Sequence, residues 1–145
     1  MDENEKKWDI LPSYEKCFVC GKENNFGLRL VFESDGNIVR TEWIPRDEHC
    51  GYSGIVHGGV ISAVLDEIMG WSGWEKYKKL YWTLKITVRF NKPIVAGEKY
   101  FVEAELIKTR GKVYFSEGRI TSSSGVTVAE GEGKYIVRDD IETSI

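Results

Sequence analysis

One stretch of this sequence predicts a helix that is too apolar to lie on a protein surface. Between His57 and about Trp74, apolar residues recur at positions i, i+1, i+4, i+5 and i+8, and this spacing gives a broad apolar face at the α-helical period. The residues on that face are Val60, Ile61, Val64, Leu65, Ile68 and Met69. Other elements of the fold have to cover such a face.

Segments of alternating polarity on both sides of this helix predict the sheet that covers it. Residues 27–33 (GLRLVFE) and 37–43 (NIVRTEW) flank the turn sequence SDGN, a pattern typical of a hairpin. Alternating segments follow the helix at residues 81–90, 98–108, 113–121 and 126–137, and the turn sequences TRGK and SSSG join the last three as antiparallel neighbours. Gly131 and Gly133 share a strand face with Ala129, which suits close backbone approach or strong curvature. We predict an α+β fold in which an antiparallel sheet wraps one long central helix.

Length and charge limit the organisation and the partners. The chain has 145 residues and a net charge of -3, so one globular domain is expected and no positive field favours nucleic acid. The first residues are polar, and no apolar run reaches the roughly 20 residues of a membrane span. We predict an N-terminal arm at residues 1–16, a domain at residues 17–138 and a C-terminal tail at residues 139–145. A cytoplasmic protein without nucleic-acid or membrane partners is expected.

An acidic residue inside the predicted helix is the first candidate for chemistry. Helical spacing places Asp66 in a stripe of small residues: Gly59, Ala63, Gly70 and Gly73. In one interpretation, the stripe lets another helix or subunit pack closely, and Asp66 forms a hydrogen bond across the contact. In the other interpretation, Asp66 is functional. With an ordinary pKa of about 3.9 it would be ionised at neutral pH without any large shift.

The start of the predicted helix supports the functional interpretation. Gly58 and Gly59 have no side chains to keep a ligand oxygen away from the first backbone N–H groups, which have no partners within the helix. Together with the helix dipole, these groups suit a developing negative oxygen. A carboxylate one or two turns further along could direct water to a carbonyl carbon or attack it directly. This pair of roles fits acyl transfer.

The segment SGIVHGGVISAVLDE resembles the signature of the hotdog-fold acyl-CoA thioesterases of the 4-hydroxybenzoyl-CoA and phenylacetyl-CoA thioesterase superfamily. In these proteins His-Gly-Gly opens the central helix and an acid lies further along it; the spacing from His57 to Asp66 matches the phenylacetyl-CoA type. The segments CFVCGKENNFGLRLVF and TLKITVRFNKPIVAGEKYFVEAELIKTRGKVYFSEGRI are also similar, so the likeness covers roughly residues 17–137. It implies hydrolysis of an acyl-CoA to a carboxylic acid and free coenzyme A, without a required metal or redox cofactor.

The resemblance also implies roles for individual residues. Asp66 would be the general base or the nucleophile, the backbone N–H of Gly59 would polarise the thioester carbonyl, and His57 would shape the loop and help to position the acyl group. Thr83 would hold the attacking water. Its strand alternation places it on a polar face with Lys85, Thr87 and Arg89. Family members form homodimers or dimers of dimers (homotetramers) with shared sites, in which Thr83 can serve the Asp66 of the other subunit.

Coenzyme A carries phosphates, so basic side chains are expected at the rim of the site. The candidates are Arg89 and Lys92 at the end of the Thr83 strand and Arg110 and Lys112 around the TRGK turn, although a single residue of this kind is more often a solvated surface charge. The resemblance favours the turn, which comprises Arg110, Gly111 and Lys112, and it also places Gly58 in the substrate site.

A second group of candidates contains the cysteines. Cys17 and Cys20 form a CxxC pair, and His49 with Cys50 could complete four ligands for zinc, although the second pair lacks the usual spacing. In the alternative interpretation, small buried thiols pack the entry strand and no metal is bound. Glu67 is turned about 100° around the helix from Asp66, so it is interpreted as a partner of Asp66 or a surface acid.

Two other functions remain open from the sequence. A non-catalytic module that binds or senses acyl-CoA would keep the fold but would not need the carboxylate. A hotdog dehydratase or hydratase would pair a catalytic histidine with an acid, and the chain has two histidines, His49 and His57. The acyl group is not defined by the sequence, and neither is the choice between coenzyme A and acyl carrier protein as its carrier.

Overall fold

Seven strands form one antiparallel sheet around a central helix. The computed structural model describes residues 7–139. The strands are β1 (Asp9–Ile10), β2 (Glu33–Ser34), β3 (Ile38–Trp43), β4 (Tyr81–Phe90), β5 (Tyr100–Arg110), β6 (Val113–Ser122) and β7 (Thr127–Val137). They lie in the order β1-β2-β3-β5-β6-β7-β4. The helices are α1 (Gly58–Trp71) and α2 (Trp74–Tyr77), with a 3₁₀ turn at Asp47–His49.

The apolar face of α1 forms the centre of the core, as the spacing predicts. Its buried residues are Ile61, Val64, Leu65, Ile68, Met69, Gly70 and Trp71, and they pack against the inner faces of β3 to β7. A Cβ atom at Gly131 would lie 3.2 Å from Met69, which confirms the predicted close approach of the last strand. This arrangement of one helix enclosed by an antiparallel sheet is the hotdog fold.

Helix α1 ends earlier than the predicted boundary near Trp74. Side chains of β6 satisfy its last carbonyl groups: the Tyr114 hydroxyl donates to the Gly70 carbonyl at 2.5 Å, and the Ser116 hydroxyl donates to that of Met69 at 2.9 Å. Because these carbonyls are already bonded, the chain can leave the helix at Ser72 and start the separate helix α2. The helix end is therefore determined by contacts from β6.

The predicted N-terminal hairpin is only partly a hairpin. Leu28, Leu30 and Phe32 are all buried, as their alternation predicts. However, only Glu33–Ser34 pairs with β3. The preceding residues run beside a different segment, since the Leu28 and Leu30 N–H groups donate to the Phe18 and Val19 carbonyls at 2.8 and 2.9 Å. Alternating burial predicted the buried face correctly, but not the pairing partner.

Strand β4 contains a β-bulge that was not predicted. Thr83 pairs with Tyr135, but Lys85 pairs with Lys134, so Leu84 is an extra residue in the ladder. A bulge reverses the alternation of side chains beyond it. Thr83 therefore faces the helix, where its hydroxyl contacts Asp66, and it does not share the outer face of Lys85, Thr87 and Arg89. The predicted polar face for Thr83 is wrong for this reason.

The described part of the predicted arm packs on the sheet. Asp9–Ile10 pairs with β2, and the buried Leu11 donates its N–H to the Phe32 carbonyl at 2.9 Å. Residues 1–6 of the arm and residues 140–145 of the predicted tail lie outside the described residues. Between residues 7 and 139, no helix is both long and apolar enough to cross a membrane.

Candidate active site

The Asp66 carboxylate lies in the middle of α1 and receives hydrogen bonds from two strands. The Thr83 hydroxyl of β4 donates to its Oδ1 atom at 2.8 Å. The Tyr135 hydroxyl of β7 lies 3.1 Å from the same oxygen and 3.1 Å from the Asp66 carbonyl oxygen. Both donors belong to the same chain as Asp66. The structure thus joins two predicted residues, Asp66 and Thr83, within one subunit.

Burial changes the acid strength of Asp66. Desolvation raises the pKa of its carboxyl group above the ordinary value, while the hydrogen bonds from Thr83 and Tyr135 lower that pKa and the neighbouring Glu67 raises it further. Because desolvation is the largest of these effects, the net direction is upward. The pKa of Asp66 therefore lies above the ordinary value used in the sequence analysis, and its carboxylate is a better proton acceptor than that of an exposed aspartate.

The stripe of small residues beside Asp66 is filled by tyrosines. A Cβ atom at Gly70 would overlap the Tyr81 ring, and one at Gly73 would lie 2.5 Å from the Tyr114 ring. The Tyr81, Tyr114 and Tyr135 rings contact one another, with centroids 5.3 Å apart in each of the two pairs. At these two glycines the space is occupied by the same chain, so no second helix can pack there.

At the start of α1, His57 caps the helix with its own side chain. The Gly59 N–H donates to the His57 Nδ1 atom at 2.8 Å. Both residues are exposed. A Cβ atom at Gly58 would lie 3.6 Å from the exposed Phe90 ring. The Gly59 N–H group, the predicted oxyanion donor, is therefore accessible to solvent, but it is hydrogen-bonded to the His57 imidazole.

The helix start and the carboxylate are separated along the helix. Gly59 and Asp66 are seven residues apart, which corresponds to about 10 Å of axial rise. A carbonyl oxygen bonded to the Gly59 N–H is therefore too far from the Asp66 carboxylate of the same chain for that carboxylate to attack its carbon or to activate a water that does.

The predicted basic residues lie at different places. Arg89 pairs with Glu130 on the outer face of the sheet. The Lys92 N–H donates to the Val128 carbonyl at 3.1 Å, in the loop that follows Phe90.

The turn that contains Arg110, Gly111 and Lys112 lies beside α2, far from the helix start. The Tyr77 hydroxyl donates to the Gly111 carbonyl at 2.8 Å, and the Lys112 ammonium donates to Asp139 at 2.6 Å. Within one chain the structure does not bring this turn to Gly58 and Gly59, since the turn lies beyond the C-terminal end of α1, which is about 20 Å long.

A second cluster forms around Glu67, on another side of α1. The Cys17 and Cys20 thiols donate to the Glu67 Oε1 atom at 3.3 and 3.2 Å. The Trp71 indole N–H donates to the same oxygen at 2.9 Å. The neighbouring Cys20 side chain lowers the pKa of the Cys17 thiol, whereas the Cys17 side chain and burial raise the pKa of the Cys20 thiol. Glu67 is therefore neither a partner of Asp66 nor a surface acid.

The other two zinc candidates lie outside this cluster. The Nε2 atom of the buried His49 lies 3.5 Å from an Arg46 nitrogen, and the Cys50 thiol lies 3.9 Å from the Arg46 carbonyl oxygen. Glu67, rather than His49 or Cys50, joins Cys17 and Cys20. The structure therefore does not bring the four zinc candidates together, because residues 46–50 form a separate turn.

Sequence reasoning missed two residues of these sites. Tyr135 lies on the inner face of β7 with Gly131 and Gly133. The alternation of the strand predicts that Tyr135 faces inward, but it does not predict the contact with Asp66. Glu67 follows Asp66 directly, and its contacts depend on how residues 17–20 fold back onto the helix. No local pattern contains that information.

Comparison with known proteins agrees with the fold and identifies the family. The model of a family described as the thioesterase superfamily matches residues 53–129, more than half of the chain. An uncharacterized protein of Schizosaccharomyces pombe is 25% identical over 97 residues, which are 63% of this chain and 55% of that protein. The match therefore spans less than two thirds of that relative.

Solved structures share the architecture. The thioesterase superfamily protein RHA08564 is 27% identical, with a TM-score of 0.76, and the match covers 84% of this chain and 60% of that one. The E. coli PaaI protein from the phenylacetic acid degradation operon is 16% identical, with a TM-score of 0.69 and coverage of 77% and 80%. The protein smu.793 of Streptococcus mutans, bound to acetyl CoA, is 17% identical, with a TM-score of 0.66 and coverage of 95% and 93%. The resemblance of the His57 to Asp66 segment is confirmed, and the chain belongs to the thioesterase superfamily.

Proposed function

We propose that this protein is an acyl-CoA thioesterase whose reaction depends on Asp66. The observation that supports this most directly is the Asp66 carboxylate, half-buried in the matched family segment and oriented by the Thr83 and Tyr135 hydroxyls. Burial raises its pKa and so its basicity, and the hydroxyls fix its direction. The bound acetyl CoA in the Streptococcus mutans relative supports coenzyme A as the carrier.

In the proposed reaction the thioester oxygen binds at the start of α1. The substrate oxygen replaces the His57 imidazole at the Gly59 N–H, and the exposed imidazole turns aside. With Asp66 as general base, the carboxylate takes a proton from water as the water oxygen attacks the carbonyl carbon. The carbon–sulfur bond then breaks, and the proton passes to the coenzyme A thiolate. With Asp66 as nucleophile, its carboxylate oxygen attacks the carbonyl carbon and expels the coenzyme A thiolate; water then hydrolyses the acyl-aspartyl anhydride, and the proton released passes to the thiolate.

The geometry supports a site shared between two subunits. The about 10 Å rise between Gly59 and Asp66 separates the oxyanion donor of one chain from its own base, so each site needs Asp66 from one subunit and Gly59 from the other. Among residues 7–139, strand β4 pairs with β7 and with no other strand. Its side chains Trp82, Leu84 and Phe90 are 53%, 50% and 52% exposed. We therefore propose a homodimer that pairs along this strand, alone or within a dimer of dimers.

The shared site also gives roles to the distant basic turn. In a dimer of this kind, Arg110 and Gly111 near α2 of one subunit lie at the rim of a site whose glycines come from the other. Arg110 would bind coenzyme A phosphates, and Lys112 would join it on release from Asp139. A cytoplasmic location remains a prediction from the sequence.

The experiment is free-thiol release from short, long and aromatic acyl-CoAs, comparing the wild type with Asp66→Asn. We expect turnover of at least one substrate, and a loss of about 100-fold or more in kcat in the variant. Binding of acyl-CoA without thiol release would contradict the proposal and favour a binding module. Hydration of an enoyl-CoA at comparable rates would favour the hydratase alternative.

A complementation experiment tests the shared site. Asp66→Asn and Gly59→Pro, which removes the backbone N–H, are each expected to be nearly inactive. Co-refolded mixtures should regain about one quarter of wild-type activity, because half of the dimers are mixed and each has one intact site. No recovery, or a monomer in sedimentation, would contradict a site shared across the dimer.

A further inference from the structure

Two sulfur atoms and a carboxylate converge on one point between the N-terminal segment and α1. The ligand atoms of Cys17, Cys20 and Glu67 all lie within 4.8 Å of one another, with sulfur–oxygen distances of 3.3 and 3.2 Å. A tetrahedral zinc ion with bonds of about 2.3 Å to sulfur and about 2.1 Å to oxygen separates sulfur from oxygen by about 3.6 Å and two sulfurs by about 3.8 Å. The two sulfur–oxygen distances are therefore already close to the spacing that one ion requires, and the two sulfurs lie within 4.8 Å of each other.

The turn that carries the cysteines holds both sulfurs on the same side. The Cys20 N–H donates to the Cys17 sulfur at 3.4 Å, and the Gly21 N–H donates to the Cys17 carbonyl at 2.9 Å. A Cβ atom at Gly21 would overlap the Glu15 carbonyl oxygen, so this tight turn requires glycine. The sulfurs are thus fixed by the backbone before any ion binds, which reduces the entropy lost on binding.

The charge around Glu67 favours a cation. Asp66 is its neighbour in sequence, and no ion pair between residues 7 and 139 includes Glu67. Its hydrogen-bond donors are two thiols, the Trp71 indole at 2.9 Å and the Tyr81 hydroxyl at 3.5 Å, all uncharged in that role. The Trp71 bond orients the carboxylate in the way that an outer partner orients a metal ligand.

We propose that Cys17, Cys20 and Glu67 bind one zinc ion, with a water molecule in the fourth position. Two sulfur ligands favour zinc over magnesium or calcium, which prefer oxygen. The ion would link the N-terminal segment to α1; between residues 7 and 32 the described part of that segment has one regular element, the two-residue strand β1. The proposed zinc stabilises the fold and takes no part in thioester hydrolysis.

The test is cobalt and zinc titration of the reduced full-length protein. With Co²⁺ we expect visible ligand-field bands, a near-ultraviolet thiolate-to-cobalt band and a stoichiometry of one ion per chain, and Zn²⁺ should displace the cobalt. Cys17→Ser and Glu67→Gln should each weaken zinc by more than about 100-fold, because loss of a ligand exceeds the effect of losing an outer partner. Cys50→Ser is the matched control and should bind like the wild type.

Thermal unfolding with and without zinc provides a readout that does not depend on activity. Zinc should raise the Tm of the wild type and of Cys50→Ser, and it should leave the Tm of Glu67→Gln unchanged. If the reduced wild type binds neither Co²⁺ nor Zn²⁺ at micromolar concentrations, or if Cys50→Ser loses the ion, the proposal is wrong. A wild type that hydrolyses thioesters but binds no zinc would reject the metal site alone.

Discussion

Asp66 and Glu67 are adjacent acids on one helix, and their surroundings differ. Asp66 accepts hydrogen bonds from hydroxyl groups of two strands of the sheet. Glu67 accepts them from two thiols, an indole and, at 3.5 Å, the Tyr81 hydroxyl. A turn of about 100° around the helix is enough to bring sulfur atoms to one carboxylate and not to the other. The comparison teaches that position around α1, rather than residue type, determines what each carboxylate can do.

Tyr81 separates the two environments. Its ring lies against Gly70 and contacts two other rings, that of Tyr135 at a centroid distance of 5.3 Å and that of Trp71 at 6.4 Å. Tyr135 bonds to Asp66 and Trp71 bonds to Glu67. The absence of a side chain at Gly70 makes room for this partition, which explains why the stripe of small residues continues beyond Asp66.

The largest expected effect comes from exchanging each acid for its amide. Asp66→Asn should lower kcat by about 100-fold or more and keep zinc, because it removes the base but no metal ligand. Glu67→Gln should weaken zinc by more than about 100-fold and lower kcat by less than about tenfold. Steady-state kinetics and cobalt titration of both proteins check this. Equal losses of both properties in both variants would show that the acids act as one unit.

Gly70→Ala should displace the Tyr81 ring, which lies between the surroundings of Asp66 and those of Glu67, and should lower the free energy of unfolding. Alanine favours a helix interior over glycine by about 1 kcal/mol, but its Cβ would overlap the Tyr81 ring, and we expect a net destabilisation of about 2 kcal/mol from overpacking. Urea unfolding measures the change. Gly58→Ala is the matched control, because its Cβ would make only an ordinary 3.6 Å contact with Phe90. A Gly70→Ala variant as stable as the wild type would show that Tyr81 moves freely.

Removing either hydroxyl beside Asp66 should shift the pH profile. The active base is the carboxylate, so kcat/KM falls as the pH drops through the Asp66 pKa, which burial raises. Thr83→Val and Tyr135→Phe each remove a bond that lowers this pKa, so the acid limb should move to higher pH, with a kcat loss of about tenfold or less on the plateau. Tyr100→Phe is the control, since its hydroxyl contacts Val95 and Glu98 instead. An acid limb that stays in place in both variants would contradict the assignment of Asp66 as the base.

The smallest expected effect is that of Trp71→Phe. This change keeps an aromatic ring in the core but removes the indole N–H that orients Glu67, so zinc affinity should fall by about tenfold. Competition with a chromophoric chelator measures the affinity. The pH dependence of kcat/KM, which reports on Asp66, should keep its acid limb at the wild-type position. A shifted acid limb would show that Tyr81 does not isolate the two carboxylates from each other.

Local sequence patterns predicted the helix, the strands and the first catalytic candidates, because the periodicity of apolar residues and the residue types of turns depend only on nearby positions. The strand at residues 81–90 has its predicted bounds, and the buried face of α1 is correct. The patterns failed where one extra residue changes the alternation, as at Leu84, and where distant segments meet, as at Tyr135 and Glu67. The helix end near Trp71 also depends on β6, which begins some 40 residues later in the chain.

The bulge at Leu84 also concerns the outer edge of β4. An edge strand offers free backbone groups to any other chain, and a long flat edge invites open-ended stacking. A bulge increases the local twist, so an incoming strand can follow residues 85–90 but loses register beyond them. The single extra residue that aims Thr83 at Asp66 therefore also limits how far this edge can be extended, which favours a closed pair of subunits over a growing fibre.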